Sequence, residues 1–320
     1  MFCQIPGKLS DEHVWPQWLR SFPAYDALLE QHPPSDDPSW KVRLEPDDRG
    51  RFVARRYQRG QEQLLPHVQI RQVCTTCNTG WLSRLEKDVK RLLAPMIREQ
   101  PLCLTPEGRQ MLALWVLKTS MMYALHQPPE ARIFPSAAYT MLYANRDETS
   151  YQQRPLPGSP AIWIGRSNAS TAHIAMGLAP LLFAPNHTRG EDLASMPATA
   201  GDIYLAAHGV FFIHHYWPDE FESLREEFVL PMPMRAGLQQ LWPPRTPIRW
   251  PLPLISESQL DRAKGWLSRV TALIGFGVVG HTPAELEELQ EDLFSGSDPG
   301  ALCMRSVRQR YAPRGSRGGG

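Results

Sequence analysis

Apolar residues follow two different periods along this chain, and the change of period divides it. From about Thr79 to Ile97, Leu82, Leu85, Val89, Leu92 and Met96 recur at three- and four-residue spacing, which predicts a helix with one buried face. A second helix is announced by Thr105-Pro106-Glu107, where Thr suits an N-cap and Pro the first helical position. It continues through Met111–Leu125, and Met111, Leu112, Leu114, Trp115, Leu117, Met121 and Met122 make it apolar on most sides. That helix is expected to be buried, its methionines filling core space. Residues 133–146 suggest a further helix, and 150–160 a proline-rich linker. After the linker the runs shorten to Ala161–Gly165, His173–Met176, Leu181–Ala184, Ile203–Ala207 and Val210–His215, which read as strands of a small antiparallel sheet.

The first hundred residues are patterned differently. Lys41–Glu45, Arg51–Tyr57 and His67–Val73 are β-like, Trp15–Arg20 is a short aromatic turn or helix, and the Pro- and Asp-rich stretch 31–50 reads as an exposed insertion. Toward the other end, Ser256–Leu273 is helical and Thr282–Phe294 is a second capped segment. The stretch from Arg305 to Gly320 holds five arginines and is expected to be disordered. Strands and helices in this order predict the α+β class, with one region over 1–100, a second over 101–300 and a tail over 301–320.

Composition narrows the setting. With 320 residues and 42% hydrophobic content, there is room for two modest domains with packed cores. No run of about eighteen apolar residues occurs, which argues against a membrane span. Met1–Pro6 has no basic region followed by an apolar one, so no secretory signal is expected. Five cysteines is an odd number, better suited to a metal knuckle and a reducing cytoplasm than to a disulfide framework. A net charge of +1 means that any nucleic-acid surface must be local.

Two short segments carry chemistry. Asp11-Glu12-His13-Val14-Trp15-Pro16 sets a carboxylate beside an imidazole, a pairing suited to a hydrolytic metal centre. Cys74-Thr75-Thr76-Cys77-Asn78 offers the C-x-x-C spacing of structural zinc, closing onto an asparagine. Together, Glu12-His13-x-x-Pro16 and Cys74-x-x-Cys77-Asn78-x-Gly80-Trp81 resemble the HNH (ββα-metal) endonucleases, in the subgroup braced by a treble-clef zinc knuckle. The likeness covers roughly the first hundred residues. It implies a metal-dependent endonuclease acting on DNA, with His13 as the general base and Glu12 and Asn78 as ligands of Mg²⁺ or Mn²⁺. It also implies a structural Zn²⁺ held by Cys3, Cys74 and Cys77.

The chain departs from that pattern at two points. The first cysteine pair is represented by Cys3 alone, whose partner would fall one position before Met1. Either the true start lies upstream, the reading preferred here, or three thiolates are completed by water or a histidine such as His67. The third letter of H-N-H would fall at Leu82, which cannot coordinate a metal. Glu86 lies eight residues beyond Asn78, about 12 Å along a helix, too far to share its cation. It reads as a helix-supporting or orienting carboxylate. Asp11 and His67 remain open as further ligands.

Cations supply a possible DNA surface. Arg84, Lys87 and Arg91 share the helix side opposite the apolar stripe, and Arg51, Arg55 and Arg56 lie in an arginine-rich hairpin. The rival reading is a catalytically inactive zinc knuckle that binds nucleic acid or a protein partner. A third places the main activity in residues 101–300, where no nucleophile elbow, phosphate loop or metal spacing is found.

Overall fold

The chain folds in the mixed α+β class, with helices packed against small, mainly antiparallel sheets. A computed structural model describes residues 2–3, 8–22, 40–46, 52–58, 69–127, 132–148, 150–158, 160–168, 174–181, 200–217, 237–244, 246–260 and 263. The candidate fourth ligand His67, the segment Thr282–Phe294 and the stretch Arg305–Gly320 lie outside the described residues, as do most of the 31–50 insertion and of Ser256–Leu273.

β1 (Leu9–His13) runs into a 3-10 turn at Gln17–Ser21. β2 (Trp40–Pro46) and β3 (Phe52–Gln58) form an antiparallel pair close to the expected bounds, with Trp40 opposite Gln58 and Pro46 opposite Phe52. β4 (Gln69–Cys74) pairs antiparallel with β1, so the two halves of the motif lie side by side although some sixty residues separate them in sequence.

From β4 the chain makes one turn at Thr75–Cys77 and a wide turn at Asn78–Leu82 before α1 (Ser83–Ile97). The expected helix therefore begins irregularly, and the break falls at Gly80 (φ −93°, ψ −111°). The buried side of α1 carries Leu85, Val89, Leu93 and Met96. Leu92, expected on that row, is half-buried over the start of the next helix, where a Cβ on Gly108 would sit 3.3 Å from its Cδ1.

After β5 (Leu102–Leu104), α2 (Pro106–His126) begins as its sequence dictates, with Thr105 Oγ1 accepting from the Gly108 N–H at 3.1 Å. α2 is buried on nearly every side and runs through the middle of the core. Burying polar groups this deeply requires partners. Arg109 donates to the carbonyls of Thr246 and Gln240, Gln110 to that of Arg154, and Ser120 to that of Val116. α3 (Ser136–Ala144) follows, and the expected linker contains a short 3-10 turn at Tyr151–Gln153.

The main sheet contains β6 (Ala161–Ser167), β7 (Ile174–Leu181), β8 (Ala200–Ala207), β9 (Val210–Tyr216) and β10 (Gln239–Trp242), in the order β10-β6-β9-β8-β7. β7 carries the expected strand His173–Met176 on to Leu181, and 182–184 of the expected strand Leu181–Ala184 lie outside the described residues. β11 (Ile248–Trp250) pairs with β5, and β12 (Leu254–Ile255) runs parallel to β6. β8 and β9 are joined by His208-Gly209, both at positive φ (49° and 87°), the twist that a two-residue hairpin needs. His208 Nε2 donates to the Leu19 carbonyl at 2.8 Å, so the hairpin tip grips the segment that follows β1.

One apolar cluster extends from Phe2 to Leu252 and crosses the expected boundary near residue 100. Trp15, two residues after His13, stacks on Trp115 of α2 with ring centroids 6.0 Å apart. Among the described residues, no helix is long and apolar enough to cross a membrane.

Candidate metal and catalytic site

Cys74 ends β4 and caps the turn that follows, its Sγ accepting from the Cys77 N–H at 3.4 Å. The C-x-x-C spacing folds both sulfurs to one side of that turn. Cys3 arrives from the other direction, its Sγ 3.2 Å from that of Cys74. Phe2 fixes this approach: it is buried edge-on between Trp81 and Tyr139, with centroids 5.5 and 5.3 Å away. Cys3, Cys74 and Cys77 converge with all three sulfurs within 4.8 Å of one another. Tetrahedral thiolates at about 2.3 Å from zinc would lie roughly 3.8 Å apart, so the cluster suits a thiophilic cation. Burial pushes the Cys77 thiol up to about 12, a cost that a coordinating cation offsets by deprotonating the ligand. Among the described residues this is the only group of three or more His, Cys, Asp or Glu side chains placed to hold one metal ion.

β1 sorts the other motif residues by its alternation. A register shift between Ser10 and Glu12 puts Ser10 opposite Val73, Glu12 opposite Ile70 and His13 opposite Gln69. Ser10 and Glu12 point inward, toward α1 and α2, and His13 points to the other side. Asn78 Nδ2 donates to Ser10 Oγ at 3.0 Å, which holds the asparagine against β1. Glu12 is buried and its Oε1 accepts from Lys118 Nζ at 2.9 Å; the same ammonium donates to Glu86 Oε1 at 2.7 Å. Desolvation pulls the fully buried ammonium down, but the facing Glu86 and Glu12 carboxylates outweigh it and hold Lys118 charged. Burial likewise raises the Glu12 carboxyl, against the pull of Lys118. Among the described residues nothing donates to Glu12 Oε2 or to Asn78 Oδ1.

His13 is half-buried between two glutamines. Gln17 Nε2 lies 2.9 Å from His13 Nδ1, and Gln69 Nε2 lies 2.8 Å from His13 Nε2. The three motif residues are thus divided: Glu12 and Asn78 on the inner side of β1, His13 on the outer. Asp11 is exposed, 3.9 Å from Arg71.

On the outer side of α1, Arg84 and Arg91 are 65% and 74% exposed, and their carboxylate neighbours Asp147 and Asp88 stand off at 3.9 and 3.8 Å. Lys87 is also exposed. Arg51 lies outside the described residues, and only the backbone of Arg55 and Arg56 is placed, on β3 opposite Arg43 and Val42.

Three contributors carry no family motif. Lys118 is signalled only as a lone lysine in a helix otherwise apolar around it. Ser10 is signalled by its position two residues before Glu12, which puts both on one face of a strand. Gln69 becomes visible as a partner only when the β1–β4 register is known. Compared with protein-family models, with curated proteins and with solved structures, the chain matches none.

Proposed function

We propose that this protein is a metal-dependent endonuclease of the HNH type, hydrolysing DNA phosphodiester bonds, with a treble-clef knuckle holding Zn²⁺ at Cys3, Cys74 and Cys77. The reading is carried by one observation: the Cys74–Cys77 turn brings Asn78 within 3.0 Å of Ser10, two residues from Glu12 on the strand that bears His13. Asn78 Oδ1 and Glu12 Oε2 are oxygen donors without a protein partner among the described residues, a fit to a hard divalent ion. A bound Mg²⁺ or Mn²⁺ would supply the charge that offsets the anion developing on the phosphate.

The remaining work falls to the chain's own side chains. His13 takes the proton from the attacking water, and its partial exposure admits that water. Gln17 and Gln69 hold the imidazole ring in place. Lys118 fixes one oxygen of Glu12. Arg84, Lys87 and Arg91 attract the phosphate backbone, with Arg51, Arg55 and Arg56 as the second cationic group. The free thiols of the knuckle suit a cytoplasmic setting.

Nicking of supercoiled plasmid in Mg²⁺ or Mn²⁺ tests this reading. The wild type should nick only with the divalent ion, and His13→Ala should lose nicking while keeping its fold and DNA binding. Equal nicking by His13→Ala would remove the HNH assignment.

A second reading is favoured by the Lys118 contact. Because an internal ammonium already holds Glu12 Oε1, Glu12 can be purely structural and the knuckle a non-catalytic module binding nucleic acid or a protein partner. That reading expects zinc and DNA binding with no divalent-dependent nicking.

A further inference from the structure

An amide presents either an oxygen or an NH₂ to a cation, and only the oxygen ligates. The hydrogen bonds around Ser10 decide which end of Asn78 does so. A serine hydroxyl has one proton and two lone pairs. The Ser10 proton goes to the Val73 carbonyl at 3.2 Å, across the β1–β4 pair. Only lone pairs then remain at Ser10 Oγ, and the neighbour at 3.0 Å must be a donor, which is the Asn78 NH₂. With the NH₂ committed inward, Asn78 Oδ1 is the atom left for a ligand.

We propose that Ser10 is a positioning residue that fixes the Asn78 side-chain amide with its oxygen available to a divalent cation. This rests on the nuclease reading, in which Asn78 is a ligand of that cation. Without Ser10, the amide loses the acceptor that tells its two ends apart. It can then flip, presenting an N–H to the cation for part of the time. Partners that orient metal ligands are commonly worth about 10–100-fold in metal affinity.

The test is Mn²⁺ binding to the full-length, zinc-loaded protein, read by the loss of free-ion EPR signal, for the wild type, Ser10→Ala and Ser10→Thr. Each is repeated in an Asn78→Asp background. Ser10→Ala should weaken Mn²⁺ binding about tenfold or more, and Ser10→Thr, which keeps the hydroxyl, should restore most of it. A carboxylate has no wrong end, so Ser10→Ala should matter little once Asn78→Asp is present. That cancellation separates orientation from a general loosening of the fold, which would weaken binding in both backgrounds. Normal wild-type binding that Ser10→Ala leaves unchanged, or weakens equally in both backgrounds, overturns the inference and spares the nuclease reading. Absence of any Mn²⁺ site in the zinc-loaded wild type overturns both.

Discussion

Lys118 and Glu12 are 106 residues apart in sequence, yet Nζ of one lies 2.9 Å from Oε1 of the other, and the lysine side chain is wholly buried. The contact joins α2 to β1, and through Glu86 it also reaches α1. One ammonium thus ties together the three elements on which the candidate site is built.

Removing that ammonium should be costly. Lys118→Met would leave Glu12 and Glu86 facing each other without a counter-charge, a loss on the order of 3–5 kcal/mol when one partner of a buried pair is deleted. Urea unfolding should show a large fall in midpoint. Adding Glu12→Gln and Glu86→Gln to Lys118→Met should recover much of it, because no uncompensated charge then remains. A single Lys118→Met variant as stable as wild type would mean that the cluster is not an ion pair.

This cluster also shows where sequence reading ends. Helix α2 is legible from its N-cap and its apolar run, and the Cys74–Cys77 turn from its C-x-x-C spacing, because both are local signals. Glu86 is expected as a helix-supporting or orienting carboxylate, and in the structure it accepts from Lys118. That partner is not legible, because a lone lysine in an apolar run does not say which distant carboxylates neutralise it. Likewise, the β1–β4 register that sets Gln69 against His13 is a long-range pairing across an insertion. The β5–β11 pair escapes the hydrophobic pattern because three-residue strands carry too little periodicity. Within β1, alternation along the strand is sufficient to separate Glu12 from His13.

The cluster of Cys3, Cys74 and Cys77 makes a prediction about metal content. Protein prepared without chelator should carry about one thiophilic ion per chain, expected to be zinc, bound by three thiolates. Cys77→Ser should lower both metal content and melting temperature, and chelation of the wild type should reproduce the thermal loss. Elemental analysis alongside thermal melts checks this; a Cys77→Ser protein with wild-type zinc content would sink the site. Cys103, exposed on β5 and outside the cluster, serves as the control: Cys103→Ser should change neither quantity.

Acid sensitivity follows from the sheet. Ser120 gives its proton to the Val116 carbonyl, so it accepts from His214 Nδ1 at 2.8 Å, and His214 Nε2 is left buried without a partner. Burial, assisted by His215, pushes the His214 pKa down to about 3, whereas an unfolded histidine titrates near 6.5. As pH falls below about 6.5 the unfolded chain binds a proton that the folded one refuses, so stability should drop by up to about 1.4 kcal/mol per pH unit. The neighbouring Asp202–His215 pair is buried as well, and that burial raises the Asp202 carboxyl and lowers His215. Urea midpoints between pH 5 and 7 should therefore fall with acidification in the wild type and flatten in His214→Phe. An equal slope in both would assign the acid limb to other groups.

The last prediction separates DNA binding from chemistry. Arg84, Lys87 and Arg91 stand on the exposed side of α1, and the acidic neighbours of the two arginines are nearly 4 Å away, too loosely placed in water to neutralise them. If this face follows a phosphate backbone, replacing all three with glutamine should weaken binding equally for unrelated sequences. The slope of log K against log salt should become shallower by about 0.9 for each duplex phosphate that is no longer neutralised. Nicking at saturating DNA should persist, because none of the three touches Glu12, His13 or Asn78 in the proposed site. A salt slope unchanged by the triple substitution would show the α1 cations to be a solvated face. The second cationic group would then be the candidate, and substitution of Arg51, Arg55 and Arg56 should produce the weakening instead.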